Sequence, residues 1–114
     1  MRIVSLRAQY TQAPFGPVRV AERAWDRTRG LLGRPRIEGT EGLLILRCSS
    51  VHTVGMRYPI DVVFLDRHGC IARIVESLGP MRMAICIGAA NVLELAAGQA
   101  RRLALKPGLR LQGW

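Results

Sequence analysis

Cys48 and His52 lie four residues apart in a stretch of small, polar and soft residues, and they offer the most reactive pairing in the chain. A thiolate and an imidazole on one coiled segment can ligate a single metal ion, with Asp61 as an oxygen donor, or can serve as nucleophile and base. Three candidate ligands fall short of a zinc signature, and a nucleophile also needs an oxyanion site that spacing does not supply. The plainer reading makes Cys48 a small hydrophobe and His52 a donor to a backbone carbonyl, so no catalytic residue, metal or cofactor is assigned.

The carboxylates divide by position. Asp61 and Asp66 flank one strand-like run and, being five apart, face opposite sides of a sheet, which disfavours paired acid–base chemistry. Asp66 suits turn chemistry, and Asp61 suits a hydrogen bond that fixes the chain where the strand begins. Glu94, enclosed by Val92, Leu93 and Leu95, must either face solvent or meet a partner, for which Arg57, Arg82 and Arg102 are candidates. Phosphate-binding glycine loops are absent.

These residues need elements to position them. Ile3 to Ala8 and Val18 to Glu22 read as strands separated by Pro14, Gly16 and Pro17. From Glu22 to Leu32 the period becomes helical, with Ala24, Thr28, Leu31 and Leu32 on one face and Gly33 and Pro35 as the stop. Leu43 to Leu46 is a fully buried strand, Cys48 to Met56 an irregular passage, and Ile60 to Asp66 the clearest strand. Asp66-Arg67-His68-Gly69 forms a turn into a return strand, Cys70 to Leu78. Met81 to Ala90 has no clear pattern, Asn91 to Ala96 is a strand, Gly98 to Leu105 a short helix, and Leu109 to Leu111 a last strand. The sum is a β-rich α+β fold: a compact, partly closed mixed barrel of about six to eight short strands with two short helices, in one domain over residues 1–114.

At 114 residues, with 49 % hydrophobic and 22 % charged, the chain can bury a continuous core, which excludes disordered, collagen-like and coiled-coil classes. Seventeen basic residues against eight acidic give a formal charge of +9. Such a field attracts polyanions. The basic residues are, however, 16 Arg and a single Lys spread from Arg2 to Arg110, and aromatics are 5 %, so non-specific nucleic-acid binding is a lesser alternative. Three cysteines without a Cys-x-x-Cys motif give no disulfide framework. The N-terminus lacks the apolar stretch of a signal peptide and no segment is long enough to span a bilayer, so a cytoplasmic protein with no membrane insertion is expected.

Val51 to Asp66, V-H-T-V-G-M-R-Y-P-I-D-V-V-F-L-D, resembles the I-H-T-x-x-M-R-x-P-I-D-V-x-F-L-D core of a bacterial and archaeal family known as domain of unknown function 192. Arg29 to Arg34 resembles its R-x-x-G-L-L-G-R segment, Pro80-Met81-Arg82 its P-x-R, and Ala90 to Gly98 its A-x-x-V-L-E-L-P-A-G, with Ala96 where the family usually carries proline. The resemblance implies a compact barrel-like domain and no established activity. Occurrence of some relatives beside pilus-assembly and secretion genes implies an accessory, partner-binding role.

The residues and the resemblance together point to a non-enzymatic binding module for a protein, peptide or small ligand. Its expected surface combines Cys48, His52, Met56, Arg57, Asp61, Arg82 and Glu94 around the two least regular segments. The alternatives are a small hydrolase or transferase using Cys48 with His52 or a bound metal, and the nucleic-acid binder already described.

Overall fold

Short apolar runs broken by glycine and proline leave the chain little choice but strands with tight connections. In a computed structural model that describes residues 1–11 and 13–114, these are β1 (Arg2–Ala8), β2 (Phe15–Ala21), α1 (Ala24–Arg29), β3 (Gly42–Leu46), β4 (Ser50–His52), β5 (Ile60–Leu65), β6 (Ile71–Leu78), β7 (Met83–Ile85), β8 (Asn91–Ala96), α2 (Gln99–Arg102) and β9 (Leu111–Gln112). Seven strands form one sheet in the order β6-β5-β8-β3-β2-β1-β9, and β4 pairs with β7 in a second sheet. All pairings are antiparallel except β2 with β3. That parallel pair requires a crossover, which α1 and the following loop provide.

The sheet curls until its edges meet. Ile71 N–H donates to Leu109 O at 2.8 Å and Leu111 N–H to Gly69 O at 2.9 Å, so the chain entering β6 is tied to the chain entering β9. The expected partly closed mixed barrel is therefore a curled half-barrel, and its seven strands are the seven that showed a pattern in the sequence. The two further strands, β4 and β7, arise inside the segments that showed none, because their pairing with each other (Val51 opposite Ala84) is a tertiary event. Among the described residues, no helix is long and apolar enough to cross a membrane.

Both expected helices are shorter than their patterns: the one read over Gly98 to Leu105 is the single turn Gln99–Arg102, and the chain leaves it with Ala104 at φ 56°. The helix read over Glu22 to Leu32 ends at Arg29, because Gly30 takes φ 56° and ψ −129°, a conformation open to glycine and closed to helix continuation. Thus Leu31 is buried from a loop and not from a helical face.

Alternation along β5, β8 and β3 divides the core in two. Leu44, Val63, Leu65, Leu93 and Leu95 pack with Leu6, Val18 and Ala100 on the α2 face. Leu43, Ile45, Val62, Phe64 and Val92 pack with Leu31, Val51 and Ala84 on the β4–β7 face. Asp61 belongs to the α2 face. It is fully buried, and its carboxylate accepts N–H bonds from Ser77 (2.8 Å), Gly98 (3.0 Å) and Ala100 (2.9 Å), fastening the turn before α2 and a kink in β6 to β5.

Replacing Asp61 by Ala takes the acceptor from three amides, that of Ala100 fully buried and those of Ser77 and Gly98 partly so. Urea unfolding of Asp61→Ala is expected to show a loss of about 3 kcal/mol or more. A loss under about 1 kcal/mol would show that water replaces the carboxylate there.

Candidate functional site

Strand β8 lies between β3 and β5, with Glu94 opposite Leu43 on one side and Val62 on the other. Period-two alternation sends its side chain to the β4–β7 face beside Val92. There Glu94 is only 3 % exposed, and no hydrogen-bond donor or basic side chain among the described residues pairs with its carboxylate. Both expected outcomes for this residue are corrected. It neither faces solvent nor meets Arg57, Arg82 or Arg102, because the loop after α1 and the β4 segment fold over it before any arginine reaches it.

That cover is incomplete and leaves a cleft of about 230 Å³. Its walls come from α1 and its loop (Arg27 to Leu32), from β3 (Ile45), and from the β4 segment (Cys48, Ser50, His52, Met56), with Glu94 at the buried end. Gly30 lies directly above the carboxylate: a Cβ on it would stand 3.5 Å from Glu94 Oε1. The glycine inside the helical pattern therefore has two local reasons, its backbone angles and its contact with Glu94. Arginines hold the α1 wall by donating to carbonyls. Arg34 Nε donates to Gly30 O at 2.7 Å, Arg29 Nε to Leu32 O at 2.9 Å, and Arg27 Nη2 to Arg47 O at 2.6 Å. The Arg27 Nε is itself buried without an acceptor.

On the opposite wall, buried Thr53 fixes the end of β4 to the loop before β7. Its hydroxyl donates to Gly79 O at 2.6 Å and accepts from Arg82 N–H at 2.9 Å, while its own N–H donates to Arg82 O at 2.8 Å.

Of the seven residues expected to share a surface, Cys48, His52, Met56 and Glu94 border this one cleft. Arg57 lies next to it, in an adjoining depression with Met56, Tyr58 and Leu32. The Arg82 side chain is exposed and only its backbone is engaged, by Thr53. Asp61 stands apart, bonded on the α2 face. Around Arg82, the side chains of Met81, Met83, Ile85 and Ile87 are exposed. The α1 wall, Arg27 to Gly30, was not expected to contribute; the one sequence signal for it was a glycine within a helical pattern.

The chemistry of the cleft follows from burial. Removal from water alone pushes the Glu94 carboxyl up from 4.5 to about 7. Burial and then the nearby Glu94 carboxylate raise the Tyr58 phenol above its ordinary value. The Cys48 thiol is directed at Ser50 O, 3.0 Å away, and makes no hydrogen bond to His52, which is exposed. Among the described residues, no three His, Cys, Asp or Glu side chains are grouped to hold a metal ion.

A curled mixed half-barrel sheet with a small second sheet defines the structural class. Residues 6–113 match the sequence profile of DUF192, described as "Uncharacterized ACR", and the chain belongs to that family. Two solved structures are similar. One, a protein of unknown function from Novosphingobium aromaticivorans DSM 12444, has a TM-score of 0.83 at 23 % identity, over 98 % of this chain and 84 % of that one. The other, from Sinorhizobium meliloti 1021 and provisionally described as a transcription regulator, has a TM-score of 0.80 at 27 % identity, over 97 % of this chain and 92 % of that one. Comparison with curated proteins gave no match.

The Glu94 environment dictates a pH dependence of stability. With its folded pKa raised above the unfolded value, the folded chain binds the extra proton between about pH 4.5 and 7. The stability this group contributes is therefore full below that window and is lost as pH rises through it. Compared with Glu94→Gln, the wild type is expected to lose up to about 3 kcal/mol between pH 4.5 and 8. Parallel pH profiles for the two proteins would contradict the burial of an unpaired acid.

Proposed function

We propose that this protein is a non-enzymatic binding module whose site is the cleft between α1 and β4, and that its occupant is a small ligand. The observation that carries this reading is Glu94: a carboxylate 3 % exposed, without a partner among the described residues, lining a cleft of about 230 Å³. An unpaired buried acid destabilises the fold that contains it, and such a cost at a concave surface is typical of a group reserved for a ligand. Apolar walls with a few polar groups are the usual composition of small-molecule sites. A hydrolase or transferase reading gains less support, because the Cys48 proton points at a backbone carbonyl and not at His52.

The charge of the chain fits this reading. Arg27, Arg29, Arg34 and Arg47 each donate to backbone carbonyls, so a good part of the basic excess holds loops in place. The description of the Sinorhizobium protein makes nucleic-acid binding the reading to test beside it. Affinity for duplex DNA at 50 mM salt that falls steeply with added salt would favour it.

The direct test is a thermal-shift screen of metabolite-sized compounds, with native mass spectrometry of the hits. Compounds that bind one to one and raise the wild-type Tm are expected to lose their effect in Glu94→Gln and to keep it in Arg82→Ala. Hits indifferent to Glu94→Gln but abolished by Arg82→Ala would move the site to the exposed loop before β7.

A further inference from the structure

The polarity of the cleft restricts what it can hold. At the buried end is one carboxylate with no donor against it. Around it, Arg27 and Arg29 also line the cleft, both half-buried and neither paired with a carboxylate. Their guanidinium groups are held by carbonyls, Arg27 by Arg47 O and Arg29 by Leu32 O and Gly33 O, so their positive charge is fixed in place without being neutralised. Leu31, Ile45 and Val51 add apolar surface to the same lining.

We propose that the cleft binds a small zwitterion of the linear amino-acid type, with its ammonium on Glu94, its methylenes against the apolar wall and its carboxylate at Arg27 and Arg29. This rests on the cleft being a ligand site. An ammonium supplies three donors to a carboxylate that has none, and the pair forms where water is excluded and the attraction is strongest. A simple amine would satisfy Glu94 but bring a positive charge past two arginines. A simple carboxylate would suit the arginines but leave Glu94 unpaired and repelled. Among the described residues, no three His, Cys, Asp or Glu side chains are grouped to hold a divalent cation. At about 230 Å³ the cleft lies below the range of drug-sized pockets, which suits a small ligand.

Binding of the ammonium requires ionised Glu94. The other titratable or charged groups that line the cleft are Arg27 and Arg29 on the α1 side and Cys48 and His52 on the β4 side, while Tyr58, with Arg36 stacked 4.9 Å from its ring centroid, lies close enough to feel the Glu94 charge. With half-ionisation of Glu94 near pH 7 in the empty cleft, the ionised fraction rises about tenfold from pH 6 to pH 8, and affinity is expected to rise with it.

The test is calorimetric titration of the full chain with linear ω-amino acids of four to six carbons, beside the matched n-alkylamines and n-alkanoates. One amino acid is expected to bind at least about tenfold more tightly than both of its matched compounds. Its affinity should rise about tenfold between pH 6 and 8, in the wild type and equally in His52→Gln, so that an imidazole cannot supply the slope. Glu94→Gln should remove both the binding and the slope. Arg27→Gln, a variant away from the buried strand, should reduce the amino acid to the affinity of the alkylamine. An alkylamine or alkanoate that matches the amino acid, or affinity that falls with rising pH, would overturn the proposal. If no member of the series binds while another compound class binds through Glu94, the zwitterion is wrong and the ligand site stands. If nothing binds at all, both fall.

Discussion

Desolvation of one carboxylate governs the arrangement of this half-barrel. β8 runs between β3 and β5, and both of its faces are covered, so every side chain on it except at the ends is buried. Four of its residues are valine, leucine or alanine, for which that position is favourable. Glu94 is the exception. A charge there loses its hydration without gaining an ion pair, and the carboxyl responds by holding its proton up to about pH 7. The cover over the β4–β7 face, made by the loop after α1 and the small β4–β7 sheet, has to accommodate that group. It does so by leaving a cleft above it.

Asp61 shows what the same chemistry looks like when it is structural. It sits on the neighbouring strand, is equally buried, and points to the opposite face, where three backbone amides converge on it. Its bonds fasten distant segments, as those of Thr53 do on the other side of the sheet. The arginines act in the same way around α1, donating to carbonyls that the short helix and its loop leave unmatched. Buried polar groups among the described residues are thus mostly bonded and fix the chain; Arg27 Nε, the Tyr58 hydroxyl and Gln99 Oε1 find no partner, and the Glu94 carboxylate takes part in no ion pair.

The main sheet was legible because its strands are dense in β-branched and bulky apolar residues between glycine and proline breaks, from Leu43-Leu44-Ile45-Leu46 to Ile60-Asp61-Val62-Val63-Phe64-Leu65. The turn at Asp66 was equally plain: Asp66 Oδ1 accepts from both His68 and Cys70 N–H, and Gly69 takes φ 83°. β4 and β7 were not legible, since a three-residue strand has too little periodicity to register and depends on its partner. The site was half visible. Cys48, His52, Met56 and Glu94 stood out by residue type, and the cleft gathers them. Arg27 did not, because nothing in a polar helical face says that it will close over a sheet. Asp61 was expected on one surface with Glu94, but in the structure it is bonded on the opposite, α2 face, a separation that depends on which loops cover each face of the sheet.

The central claim is that Glu94 is a buried acid without a partner, and its ionisation can be observed directly. In protein carrying 13C at the glutamate carboxyls, NMR titration reads each of the five glutamates separately, with Glu94 assigned by its absence in Glu94→Gln. The expected result is a Glu94 carboxyl with a midpoint near 7, well above its ordinary value of 4.5. A Glu94 midpoint near 4.5 or below would mean that water or a basic side chain reaches the carboxylate, and the account of the cleft built on its isolation would be wrong.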